Sequence, residues 1–175
     1  MLETKDEILQ AAKAMFIRVE DWLTSHPDEK FNQGPEGKWN TAQHLDHLTI
    51  VNKQIKTGLG LPKLALKAQF GKPNRPARNY DQIVKKYQEK LAGLEETFIN
   101  PTEGKTAEVS EKPARIEAYK SSGEVVLKKL SKWKEEDLDK YLLPHPLIGK
   151  MTIREMMLWF VYHNEHHLKN LQENY

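Results

Sequence analysis

Apolar residues recur at three- and four-residue intervals along most of the chain, the spacing of helices that each bury one face. Ile8, Ala11, Ala12, Met15, Phe16, Val19, Trp22 and Leu23 form the first such stripe, opened by the Thr4–Glu7 capping box and closed by Pro27 and the polar run to Gly37. A second helix begins after Trp39 with Asn40 as N-cap. It turns Leu45, Leu48, Ile55 and Leu59 inward and stops near Gly58, Gly60 and Pro62. Between 61 and 78 the pattern allows a short helix around Leu64 to Phe70, cut off by Gly71, Pro73 and Pro76. A third helix starts at Asn79 and carries Tyr80, Ile83, Val84, Tyr87, Leu91, Leu94 and Phe98 at heptad-like spacing.

After a loop from Asn100 to Ser110, Pro113 opens a fourth helix whose inner face is Ile116, Tyr119, Gly123, Val126, Leu127, Leu130 and Trp133. A charged turn (Lys134 to Lys140) and the rigid connector Pro144-His145-Pro146 lead to the last helix. That helix starts at the Thr152–Glu155 capping box and runs almost to Tyr175. No strand and no internal repeat is predicted, so the expected fold is all-α.

The 175 residues favour one domain over 1–175. With 38% hydrophobic and 30% charged residues, the composition is that of an ordinary globular protein. A formal net charge of +2 argues against a dedicated nucleic-acid binder. Absence of cysteine removes disulfides, thiolate metal sites and a cysteine nucleophile, leaving imidazole and carboxylate as metal ligands. The start MLETKDEILQ has no signal-peptide pattern, and the longest apolar run, Met156 to Tyr162, is far short of the roughly 20 residues a membrane helix needs. A cytoplasmic protein with no membrane contact is expected.

Five of the seven histidines fall in two helical clusters, His44 and His47 on the second helix and His163, His166 and His167 on the last. Residues four apart share a helix face, so His163 and His167 can aim both rings at one ion; His163 with His166 is the competing pair. Relative to a stripe centred on Ile153, Phe160 and Leu171, a helical wheel puts His167 about 40° away, His163 about 80° and His166 about 140°. His166 is therefore expected on the solvent side. The His-Glu-x-x-His arrangement of zinc proteases is absent, because Asn164 follows His163 and Glu165 lies about 200° round the helix. On the second helix the wheel places His44 nearer the apolar centre than His47, by about 60°.

The stretch Gly37-Lys38-Trp39-Asn40-Thr41-Ala42-Gln43-His44-Leu45-Asp46-His47-Leu48 resembles the second-helix motif of the DinB-like superfamily, including its YfiT-like branch. In that motif a tryptophan stands eight residues before a ligand histidine, which is followed by leucine. The segment from His145 to Met156 looks like the family's connector, and Tyr162-His163-Asn164-Glu165-His166-His167 like its ligand motif. The resemblance implies a four-helix bundle of up-down-down-up order, built from the first, second, fourth and last helices, with the third inside a long crossover over 59–111. It also implies one divalent metal ion (zinc, nickel or iron) on His47, His163 and His167. His44, Trp39, His145 and Asn164 are then candidates for the surrounding pocket.

Proteins similar to this chain include metal-dependent transferases that use a low-molecular-weight thiol and metal-dependent hydrolases, both acting on small-molecule substrates. An ion on three histidines with an open position suits either, since it lowers the pKa of a thiol or water. The alternative is a non-catalytic, metal-stabilised binding or stress-response protein. The segment 61–80 carries Lys63, Lys67, Lys72, Arg75 and Arg78 and no acidic residue; it reads either as a solvated basic loop or as a receiver of an anionic cosubstrate or nucleic acid. Finally, residues 156–162 are apolar all round for about two turns, so the crossover or a second subunit must cover the outer face of the last helix. A homodimer is the expectation.

Overall fold

A computed structural model describes residues 2–94 and 100–175. Helix α1 spans Lys5–Ser25, α2 Thr41–Leu59, α3 Lys63–Phe70, α4 Tyr80–Ala92, α5 Lys112–Ser131 and α6 Ile153–Asn174. Local chemistry sets several of these starts. Thr4 with Glu7, Asn40 with Gln43, Asn79 with Gln82 and Thr152 with Glu155 each form a reciprocal capping box that satisfies backbone N–H groups the helix cannot. The Phe98 position expected on the third helix lies outside the described residues.

Contacts between side chains fix the order of the bundle. Lys5 meets Trp133 and Glu20 meets Lys120, so α5 runs against α1. Asp46 meets Arg115 and the Leu59 carbonyl accepts from Trp133, so α2 and α5 are parallel. His44 meets His167 and His47 meets His163, which makes α6 antiparallel to α2 and hence parallel to α1. The result is the up-down-down-up bundle of α1, α2, α5 and α6, around a core that includes Ile8, Leu23, Leu45, Tyr119, Leu130 and Phe160. Gly123 of α5 is needed for the close approach of α1: a Cβ there would lie 2.7 Å from Cε1 of Phe16.

One expectation is corrected. The connector into α6 is a two-stranded antiparallel hairpin, β1 (Leu142–His145) with β2 (Gly149–Thr152), in which Leu142 pairs with Thr152 and His145 with Gly149. Gly149 adopts a φ of +84°, a backbone conformation that suits glycine, where the chain turns back. The two prolines around His145 hid the strand, because proline normally interrupts a ladder; here Pro144 sits on a two-stranded edge that tolerates a missing N–H.

The crossover serves as a cover. Tyr87 of α4 packs edge-on against Trp159 and Tyr162 of α6 at ring distances of 5.8 and 6.1 Å, and Gln88 donates to the Tyr162 hydroxyl at 2.9 Å. Leu158 and Trp159 are buried as a result. The apolar outer face of α6 is therefore met within the chain, and the reason for expecting a homodimer is removed.

The basic segment is only partly taken up by the fold: Arg75 and Arg78 are half-buried, whereas Lys63, Lys67 and Lys72 stay exposed. Lys63 pairs with Asp137 at 2.5 Å and Lys67 lies over the Tyr141 ring at 5.2 Å. Arg75 grips the fully buried Glu155 with two nitrogens at 2.5 and 2.9 Å, and the Arg78 backbone N–H donates to the same carboxylate at 2.7 Å. No described helix is long and apolar enough to cross a membrane.

Candidate metal centre

The facing stripes of α2 and α6 bring His47, His163 and His167 together in the bundle, all buried. Nε2 of His163 lies 3.0 Å from Nε2 of His47 and 3.2 Å from Nε2 of His167. Bonds of about 2.0–2.1 Å at tetrahedral angles put ligand nitrogens roughly 3.3 Å apart, so the spacing fits one ion. A proton on the central nitrogen could serve one neighbour well at a time, whereas a cation satisfies all three lone pairs. The three side chains form a group able to hold a metal, with ligand atoms within 4.8 Å of one another.

Hydrogen bonds from behind aim two of the rings. Nδ1 of His47 is 2.7 Å from the carbonyl oxygen of Thr102. A carbonyl only accepts, so Nδ1 carries the proton and Nε2 presents its lone pair to the cluster. With Nε2 of His167 turned to the cluster, its proton sits on Nδ1 and is donated to Nδ1 of His44 at 2.8 Å. The wheel's preference for His44 and the family motif's for His47 are thus reconciled: both are buried, one in the cluster and one behind it. His163 is held by packing, its ring 4.5 Å from that of Trp159, and its Nδ1 has no hydrogen-bond partner among the described residues.

Trp39 closes one side, with ring distances of 5.1 Å to His47 and 5.6 Å to His44, and its carbonyl accepts from the Tyr175 hydroxyl. His145 lines the same cavity beside Trp159, at a ring distance of 4.3 Å. Two expectations change. Asn164, a candidate for the pocket, faces the core: its Oδ1 accepts from the Tyr119 hydroxyl at 2.8 Å and its Nδ2 donates to the Phe160 carbonyl. One residue past His163 is about 100° round the helix, which turns it from the site into the bundle. His166, expected on the solvent side, is half-buried against α4 and lines the cavity, yet its Nε2 meets Asn170 rather than the cluster.

Thr102 and Gly104 were not legible as site residues in the sequence. Gly104 lets their loop lie on α2: a Cβ there would fall 1.8 Å from the Gln43 carbonyl oxygen and 2.9 Å from the His47 nitrogen. Gly104→Ala is expected to lift the loop, take the Thr102 carbonyl from His47 and weaken metal binding by about tenfold or more, as read by chelator competition.

Burial holds the imidazoles neutral. It pushes His163 and His167 well below the usual histidine value, with neighbouring imidazoles adding to the effect, and lowers His47 despite the Thr102 carbonyl. His44 and His145 are each lowered by burial to about 4 from 6.5. For groups lowered in this way, the unfolded chain binds more protons between the two values, so the folded state is fully favoured above pH 6.5 and loses stability as pH falls towards 4. Metal ligation requires the same neutral rings. Bound metal is expected to be released, and the unfolding midpoint to fall, as pH is lowered through that window. A titration with no release down to about pH 4 would point to carboxylate ligands instead.

A sequence profile of the DinB superfamily matches residues 9–171. The chain belongs to the DinB superfamily. Among solved structures, YfiT from Bacillus subtilis, described as a probable metal-dependent hydrolase with an unusual four-helix bundle topology, is 19% identical. That match covers 97% of this chain and 84% of the other, with a TM-score of 0.62. TT2238, described as a four-helix bundle protein, is 18% identical over 97% and 99% of the two chains, with a TM-score of 0.58. The colibactin self-resistance protein ClbS, solved in complex with double-stranded DNA, is 12% identical over 97% and 96%, with a TM-score of 0.54. At these identities the likeness is one of DinB fold. The DNA complex of ClbS leaves the expectation that nucleic acid is a disfavoured partner without support. None of the curated proteins compared with the chain is significantly similar to it.

Proposed function

We propose that the protein is a metal-dependent hydrolase of a small molecule, with His47, His163 and His167 holding one divalent ion. The observation that carries this reading is that all three rings line the wall of one cavity of about 490 Å³, so that the open side of the cluster faces a space able to hold a substrate. When bound, the ion acts as a Lewis acid that supplies a nucleophile at neutral pH. The chain's own groups do the rest: the Thr102 carbonyl and His44 orient two ligands, Trp39 closes one side, and Trp159 and Tyr87 add apolar wall beside His163. Imidazole suits zinc, nickel and iron alike.

Transfer of a low-molecular-weight thiol is the second reading, because the same ion would activate a thiol and the chain has no cysteine of its own. Esters and a glutathione–electrophile pair, assayed after loading with zinc, nickel or iron and again after chelation, discriminate between them. Metal-dependent ester turnover that His47→Ala abolishes is the expected result. Thiol conjugation without ester turnover would replace hydrolysis by transfer. Full metal content with neither activity would leave the metal-stabilised binding protein.

A further inference from the structure

The β1–β2 hairpin closes on a side chain. At the turn that follows β1, Nδ1 of His145 accepts the backbone N–H groups of Leu147 and Ile148, each at 3.1 Å. An asparagine makes the same contact in an Asx turn, with its amide oxygen where the imidazole nitrogen stands here. The contact fixes the tautomer. A nitrogen that accepts carries no proton, and burial lowers the His145 pKa to about 4 from 6.5. At neutral pH the ring therefore bears one proton, on Nε2.

That N–H belongs to a ring that lines the cavity beside the metal ligands. His145 is only 6% exposed. Its ring lies 4.3 Å from that of Trp159, and the same indole packs 4.5 Å from the ring of His163. Among the described residues the ring's hydrogen bonds are the two at Nδ1, and no group accepts from Nε2. An asparagine would serve the turn as well; what the imidazole adds is a donor held further from the backbone. A molecule in the cavity thus meets two features of the wall, the ion that the cluster would hold and a fixed N–H. Leaving such a donor unpaired is unfavourable, so a ligand that supplies an acceptor gains over one that puts hydrocarbon there.

We propose that His145 is a substrate-binding residue, whose Nε2–H donates a hydrogen bond to an acceptor oxygen of the substrate at a point distinct from the group that the three-histidine ion would engage. Substrates with a carbonyl, ether or carboxylate oxygen a few bonds from the scissile group are then favoured over those with hydrocarbon at that place. The inference takes from the hydrolase reading only that the bound molecule is a substrate; the hydrogen bond itself needs no turnover.

The test sets the two ring nitrogens against each other in the full chain. Protein carrying isotope-labelled histidine is followed by NMR after chelation, because a bound ion would itself take the oxygen of the probe, cyclohexanone. The His145 ring is expected to show a bare Nδ1 and a protonated Nε2 at neutral pH, and the Nε2 proton to move downfield as the ketone is added. His145→Asn keeps an acceptor where Nδ1 stands and loses the donor. It is expected to unfold at the parent's midpoint and to bind the ketone at least about threefold more weakly. His145→Gln sets an amide N–H near the place of Nε2 but gives up the turn. It is expected to unfold at a lower temperature yet bind within about twofold of the parent. A proton on Nδ1, a ketone that fails to bind or leaves the His145 signals unmoved, or equal affinity of His145→Asn and the parent would each overturn the inference. Equal losses in the two variants would also overturn it, since the ring would then act through its shape. The hydrolase reading fails separately: crossed effects of the two variants without metal-dependent ester turnover would sustain the donor alone, and turnover without them would sustain hydrolysis alone.

Discussion

His163→Ala is expected to purify without metal, whereas His166→Ala retains the parent's metal content. Nε2 of His163 sits between the other two ligand nitrogens, 3.0 Å from one and 3.2 Å from the other. Its removal leaves His47 and His167 as a two-imidazole site. Loss even of a group that supports a ligand typically costs about ten- to a hundredfold in affinity, so loss of the ligand itself is expected to exceed a hundredfold. His166 is turned to Asn170 and contributes nothing to the cluster. Elemental analysis of the purified variants and competition against a chelator give the comparison; a fully loaded His163→Ala protein would dismantle the proposed site. His44→Ala is the informative intermediate, because it spares all three ligands and removes only the group that accepts from His167.

Glu155→Ala should be the most destabilising change away from the cluster, by about 3 kcal/mol. Its carboxylate is fully buried and caps α6 through the Thr152 N–H at 3.0 Å, while it also receives Arg75 and the Arg78 backbone. The substitution uncaps α6 and strands two guanidinium groups, those of Arg75 and of Arg78, the latter 3.6 Å from the same carboxylate. The low end of the usual range for a broken buried pair applies, because the Arg75 side chain is 33% exposed and can reach water. For a chain of this size the effect corresponds to roughly a 10 °C fall in Tm. Burial alone would raise the Glu155 pKa, but Arg75 and the two backbone donors outweigh it and hold the group below its ordinary 4.5. Its contribution is therefore complete above pH 4.5 and is lost as pH falls through the lowered value. Glu155→Ala should consequently flatten the acid limb of the stability curve. A midpoint within 2 °C of the parent (a threshold of roughly 0.5–1 kcal/mol) would remove Glu155 from this role.

Much of this protein was legible in local sequence because the signals involved are local. Capping boxes at Thr4 and Thr152, the N-cap at Asn40 and the three- and four-residue spacing of apolar positions each act within one or two turns of helix. They marked the bundle helices and placed His163 and His167 on one face of α6. Choosing His47 over His44 needed the family motif, since the wheel alone favoured His44, and both proved buried in different roles.

The remainder depended on partners far away in the chain. The Thr102 carbonyl that orients His47 comes from 55 residues away, and nothing in the spacing of either residue marks the contact. The β1–β2 hairpin is short and carries a proline in β1 and another just beyond it, so its pairing is visible only once both strands are in register. Whether α4 or a second subunit covered the outer face of α6 could not follow from the apolar pattern, which shows that a face must be buried but not by what. Part of the basic segment likewise read as free charge until Glu155 and Asp137 were folded against it. Periodicity and caps thus determined the helices and the side chains each would turn inward, because those preferences are set between neighbours along the chain. Tertiary structure alone decided which lone pairs converge, which charges cancel and which apolar wall is left open as a cavity, because each of these is a relation between segments whose separation in sequence carries no record of their distance in space.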